Sequence, residues 1–281
     1  MDFEKVIKWL SWDEIPPEFI SSILALLIML ILTIVIRIKL RKYDALEKPK
    51  GFFNAFEAIN DWVEKQVIDL MGPAFKDFAG YILFTGGYIL LGFIIGWIGI
   101  PNIFQPSGDT FGEPLPNPFT NIAIPLSIAL ITFVLTHYTA IKYKHWSYFE
   151  RYLEPIPIFL PVNLVTMWSS LLSLTLRLFG NALAGYCVIT LIYVGLGTSL
   201  PPEGSLVGMV FDPILAPIGH LYFDLFDGLI QMAVFTILTM INISNEYISP
   251  EEYKLSLINK KQEKEMKKQR KLEKKAKKVG I

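Results

Sequence analysis

Five stretches of this chain are long and apolar enough to cross a bilayer, and they limit the fold more than any other feature. A hydrocarbon core of about 30 Å needs about 20 apolar residues per helix. Phe19–Ile36, Phe78–Ile100 and Phe119–Ile141 come close to or meet that length without a Lys, Arg, Asp or Glu. Two longer tracts follow, Pro155–Leu200 and Val207–Ile243. Lipid offers no hydrogen bonds, so segments like these satisfy their backbones internally as helices. The expectation is an all-α polytopic membrane protein with five transmembrane helices, over about 17–37, 78–100, 119–141, 156–200 and 207–246. The last two exceed the bilayer thickness and are expected to be long and tilted. Pro155, Pro157 and Pro161 suggest a broken start to the fourth span, and Pro213 and Pro217 do so for the fifth. A chain that is 52% hydrophobic is too apolar for an ordinary soluble domain.

Between the first two spans, "GFFNAFEAINDWVEKQVIDLMG" (Gly51–Gly72) repeats apolar residues at helical spacing. Phe52, Phe56, Ile59, Trp62, Val63, Val67 and Leu70 form one side, while Glu57, Asp61, Glu64, Lys65 and Asp69 form the other. This predicts an amphipathic helix over 52–71, lying in the membrane interface.

The formal net charge of +0 hides segregation. Lys254–Ile281 carries twelve Lys/Arg against three Glu. Arg37, Lys39, Arg41 and Lys42 follow the first span, which therefore reads as an anchoring helix rather than a cleaved leader. Lys142, Lys144 and Arg151 follow the third. The two opposite loops, Pro101–Pro118 and Ser199–Ser205, contain no Lys or Arg. Cytoplasmic loops are enriched in Lys and Arg, so the expected topology places the N-terminus outside and the C-terminus in the cytoplasm. The domain reading is a membrane domain over 1–250 and a Lys-rich cytoplasmic tail over 251–281. Such a tail suits anionic lipid or an acidic partner better than nucleic acid.

Within "SLTLRLFGNALAGY" (Ser173–Tyr186), Arg177 is the one Lys, Arg, Asp, Glu or His between Pro155 and Pro202. Arginine at a helix centre costs roughly 2.5–3.5 kcal/mol on insertion scales, so its charge points to a function. On a helix, Ser173, Arg177, Asn181 and Ala184 share one face, with Ser169, Ser170, Gly180 and Gly185 beside it. Leu172, Leu176, Phe179 and Leu183 make the other face bulky. Small residues let another helix approach closely. The competing reading is simple helix packing, with a carboxylate of the same chain neutralising Arg177.

The fifth tract offers partners. Asp224, Asp227 and Gln231 recur at spacings of three and four, which places them on one helix face where they can pass protons with water between. Asp212 and His220 lie nearer the preceding loop, and His220 titrates near neutral pH when unperturbed. The single cysteine, Cys187, excludes an intramolecular disulfide and any multi-cysteine metal site. The chain has no phosphate-binding Gly-rich loop ending in Lys-Ser/Thr and no HExxH motif. No cofactor is expected, nor autonomous catalysis. Gly92–Gly96 reads as a packing motif.

The stretch "SLTLRLFGNALAG" resembles the signature of the a subunit of F-type ATP synthases. "PIFLPVNLV" (Pro157–Val165) resembles the proline-rich segment preceding that signature, and "FDLFDGLIQMAVFTILTMI" (Phe223–Ile241) resembles the family's last helix. "PNPFTNIAIPLSIAL" (Pro116–Leu130) is similar to the start of its third membrane span. The resemblance implies a membrane stator that conducts protons past a ring of c subunits through two offset half-channels. The peripheral-stalk b subunits and membrane lipid would be its other neighbours. It implies that Arg177 faces the ring as the essential arginine, with Gln231 opposite it and Asn181 beside it. Asp224 takes the place of the acidic residue in the outer half-channel. Ser173, Tyr186, Asp227 and His220 complete the candidates for proton translocation. Thr166, Asn121 and Tyr186 stand where the family often has Glu, Asp, and Glu or His, and Asp227 occupies a usually apolar position. The implied location is a bacterial plasma membrane in preference to a mitochondrial inner membrane. The runner-up is a stand-alone secondary transporter binding an anion at Arg177. It predicts inverted repeats, and none is apparent.

Overall fold

The computed structural model describes residues 15–40, 51–100, 114–145, 160–193 and 217–247, with a few isolated positions besides. Asp212, Pro155, Pro157, Pro213 and nearly all of the Lys-rich tail lie outside the described residues. Five helices are long and apolar enough to cross a membrane. In chain order the helices are α1 (Pro17–Leu40), α2 (Phe52–Met71), α3 (Ala79–Ile98), α4 (Ala123–Lys144), α5 (Leu160–Tyr193) and α6 (Asp227–Ser244). Helix α3 packs against α1 and against α6, while α5 lies along α4 and also touches α6. Tyr88, Ile89 and Phe93 of α3 share one buried cluster with Phe119, with Leu171, Leu174 and Leu178 of α5, and with Phe235 of α6.

The elements begin and end for local reasons. Helix α3 stops at Gly99, whose φ of 64° is left-handed and suits a residue without Cβ. The third span starts four residues later than expected, at Ala123 rather than 119. Pro118–Thr120 forms a 3₁₀ turn instead, and the Asn117 side chain caps it by accepting from the Phe119 N–H at 3.0 Å. That turn sits against Gly92 and Gly96. A Cβ on Gly92 would lie 2.5 Å from the Phe119 ring, and one on Gly96 would lie 3.0 Å from Asn117. The glycine pair is thus a packing surface, as its spacing suggested.

Helix α5 begins at Leu160, and Pro155 and Pro157, two of the prolines expected to break its start, lie outside the described residues. It runs unbroken for 34 residues, about 50 Å at 1.5 Å per residue, because Pro161 falls in its first turn, where the missing N–H is not needed. A helix of that length must tilt or project from a bilayer. The fifth span, Pro217–Ser244, is irregular where the prolines did not predict it. Leu221–Phe226 has π geometry before regular α6 begins. Helix α2 divides its apolar residues between two surroundings. Val63, Val67 and Met71 pack with Ala79, Ile82, Met240 and Ile243, whereas Phe52, Ile59 and Trp62 are exposed. The outward side chains are those an interfacial helix offers to lipid.

Candidate functional site

Helix α5 buries a stripe of Leu171, Leu174, Thr175, Leu178, Ala182, Gly185 and Ile189. Its free side carries Ser173, Arg177 and Ala184, with Gly180 half-buried beside them. Nothing lies within 4 Å of the space a Gly180 Cβ would fill. Among the described residues Arg177 makes no hydrogen bond or ion pair, so no described carboxylate of its own chain neutralises it. Leu172, Leu176 and Leu183 are exposed as well. The bulky side of α5 is therefore not its core side. Gly185 instead faces inward, where a Cβ would stand 3.2 Å from Phe223. Asn181 is half-buried between the two surfaces.

The fifth span supplies two polar pairs. His220 Nδ1 lies 2.6 Å from Asp224 Oδ2. One turn on, Gln231 Nε2 donates to Asp227 Oδ1 at 3.0 Å. Gln231 is 5% exposed, and it turns to Asp227 with no hydrogen bond to Arg177. Asp227 and Gln231 share a face, as their spacing of four predicts, while Asp224 pairs back to His220. The π segment holds Asp224 with His220, and regular α6 holds Asp227 with Gln231. One-turn π insertions accumulate at functional positions because they re-aim side chains without ending a helix.

An open cavity of ≈ 830 Å³ lies at the same end of the molecule. It gathers Pro17 and Glu18 of α1, Trp97 of α3, Asn117 and Thr120 before α4, Tyr186 and Thr190 of α5, and the His220–Asp224 pair. Tyr186, His220 and Asp224 thus share one cavity, whereas Ser173, Arg177, Asn181, Asp227 and Gln231 are not among its walls. Glu18 is a wall residue that sequence reasoning did not single out, since only tertiary packing joins position 18 to position 224. Among the described residues no group of three or more His, Cys, Asp or Glu could hold a metal. Carboxylate, imidazole, phenol and hydroxyl groups around a cavity of this size can pass protons, directly or through water, where they come within hydrogen-bond reach.

Known proteins align with this arrangement along most of the chain. ATP synthase subunit a of Mycoplasma genitalium is 26% identical over 245 residues, covering 82% of this chain and 79% of that protein. The Bacillus subtilis subunit a is 31% identical over 193 residues, with 66% of this chain and 77% of that one covered. The Propionigenium modestum protein, named as sodium ion specific, is 27% identical over 241 residues, covering 84% and 76%. Residues 19–244 match the family described as ATP synthase A chain, a range that takes in all five spans, the arginine and both polar pairs, and the chain belongs to that family.

Proposed function

We propose that the protein is the proton-conducting stator subunit of a rotary F-type ATP synthase, working against a ring of c subunits. The observation that carries this reading is Arg177, an exposed and unpaired cation at the middle of an apolar helix, on a face with room for a close neighbour. A charge left unpaired at that depth costs free energy, and an incoming ring carboxylate offsets the cost. A guanidinium stays protonated when desolvated, so it can displace a proton from that carboxylate and still bar direct leakage between two offset half-channels.

The outer half-channel begins at the cavity and continues through Asp224 to the Asp227–Gln231 pair. The Tyr186 hydroxyl and His220 line its wall. Ser173 and Asn181 flank Arg177 on α5. One proton crossing 100 mV yields about 2.3 kcal/mol, so several must pass for each ATP. That arithmetic favours a rotor taking many small steps, with catalysis in other subunits. The protein itself is a non-catalytic component whose partners are the c-ring, peripheral-stalk b subunits and lipid. Its setting is a bacterial plasma membrane, with the N-terminus outside. Membership of the ATP synthase family favours this over a stand-alone transporter.

Substitution of Arg177 is the direct test. Arg177→Ala should abolish ATP synthesis driven by an imposed gradient while the assembled head still hydrolyses ATP. Arg177→Lys should be severely impaired, because a compact ammonium is more strongly hydrated and loses its proton more readily. Wild-type synthesis by Arg177→Ala membranes would overturn the separator role.

A further inference from the structure

We propose that Glu18, in the first turn of α1, is a further proton-relay residue that collects protons at the cavity mouth and passes them through cavity water to Asp224. The proposal rests on reading the cavity as the outer access path. Glu18 lines the same cavity as the His220–Asp224 pair, although 206 positions separate it from Asp224 in the chain (224 − 18). Among the described residues its carboxylate has no hydrogen bond or ion pair, and no partner of its own chain holds it.

Its position is fixed by the packing of α1. Ser22 and Tyr88 share a hydrogen bond of 2.6 Å one turn further in, and α1 rests on the Pro118–Thr120 turn. Glu18 is the second residue of its helix, and Asp224 lies in the π segment of the fifth span. The two groups divide the path into shorter steps. Asn117, Thr120, Tyr186 and Thr190 supply hydrogen-bonding walls between them.

Charge favours the same direction of travel. Among the described residues, the cavity walls contain two carboxylates and no Lys or Arg. A cleft lined by one sign of charge concentrates counter-ions, here protonated carriers from the outer medium. The transfer is balanced at each step. Glu18 takes a proton from water, becomes a neutral acid, gives the proton to a water leading to Asp224, and returns to its carboxylate form. An acid in a first helical turn is also favourable simply because it faces the helix dipole. That structural role predicts altered assembly, with no dependence on the proton carriers outside.

The experiment reconstitutes the complete complex into neutral-lipid vesicles carrying wild-type protein, Glu18→Gln, Glu18→Asp or Asp224→Asn. Proton uptake and ATP synthesis are measured under an imposed potential, at several external pH values and buffer concentrations, and normalised to assembled complex. Glu18→Gln should slow both by about 10-fold in weak buffer, the low end of what charge focusing supplies. The deficit should shrink as mobile buffer replaces the lost carboxylate. Glu18→Asp should stay near wild type, and hydrolysis by the head should not change. Wild-type rates for Glu18→Gln with impaired Asp224→Asn would remove Glu18 alone from the path. Wild-type rates for both would sink the reading of the cavity itself. A buffer-independent deficit shared by Glu18→Asp would assign Glu18 a structural role and overturn the proposal.

Discussion

Asp224 and Asp227 stand three positions apart yet hold different partners, and the difference decides what each can do. Asp224 pairs with His220 at 2.6 Å and faces the cavity, whereas Asp227 accepts from buried Gln231 at 3.0 Å. On the proposed path Asp224 receives the proton first and Asp227 takes it one turn deeper. Asp224→Asn keeps the volume and can still hydrogen-bond His220, but it no longer titrates. Synthesis in vesicles should fall about 10-fold, a modest share of what positioned acid–base groups supply, with assembly preserved. Asp227→Asn should cost less, because Asp224 lines the cavity and Asp227 does not. The double substitution should lose more than either alone, since the two groups serve one path and are close enough to couple. Wild-type proton flux in the double variant would show that both carboxylates are structural. These residues were visible in the sequence, but only part of their pairing was. Asp227–Gln231 follows the spacing of four, but the sequence sets His220 apart with the preceding loop, and its bond to Asp224 depends on the geometry of the π segment's start.

The helices themselves were legible because bilayer thickness fixes their length, and the residue pattern fixed α2 within the stated boundaries. The faces were less so. In water, burial separates apolar from polar side chains, but lipid is as apolar as leucine and removes that cue. Leu172 and Leu176 of α5 are accordingly exposed, while Thr175 is buried and donates to the Leu171 carbonyl at 2.9 Å. Two glycines expose the distinction between inner and outer faces. Gly228 of α6 touches α3, and a Cβ there would lie 2.8 Å from Phe93. Gly228→Ala should force repacking at a cost of about 1–3 kcal/mol, read as a lower melting temperature of the solubilised complex. Gly180→Ala meets nothing within this chain, so its effect tests what lies outside it. If the c-ring slides past this face, the stability of the chain should hold while c-subunit co-purification and coupled synthesis decline. A bulky Gly180→Phe should remove both. Normal coupling in Gly180→Phe would mean that lipid covers the face.

At the scale of the whole molecule, helix-terminal Lys and Arg residues gather at one end. That end collects Arg37 and Lys39 in the last turn of α1 and Lys142 and Lys144 in that of α4. Its parts are tied together. Lys39 sits 5.5 Å over the Phe53 ring of α2, Ser244 Oγ donates to the Leu70 carbonyl at 3.3 Å, and Lys144 pairs with Glu246 at 2.7 Å. The last pair is largely shielded, its side chains 14% and 12% exposed, so breaking one partner leaves a charge poorly solvated. The opposite end holds the cavity, with Glu18 and Asp224 and, among the described residues, no Lys or Arg in its walls. Lys and Arg are retained on the cytoplasmic side during insertion, so the end that holds Arg37, Lys39, Lys142 and Lys144 should be cytoplasmic and the cavity should open outward. Single cysteines in a Cys187→Ser background test this in intact cells or sealed right-side-out vesicles. Lys268→Cys, in the Lys-rich tail, should resist a membrane-impermeant thiol reagent until the membrane is opened. Thr190→Cys, at the cavity wall, should react from outside at once. Labelling of Lys268→Cys from outside would invert the topology. The cavity would then drain to the cytoplasm, and the order Glu18, Asp224, Asp227 would describe proton exit instead of access.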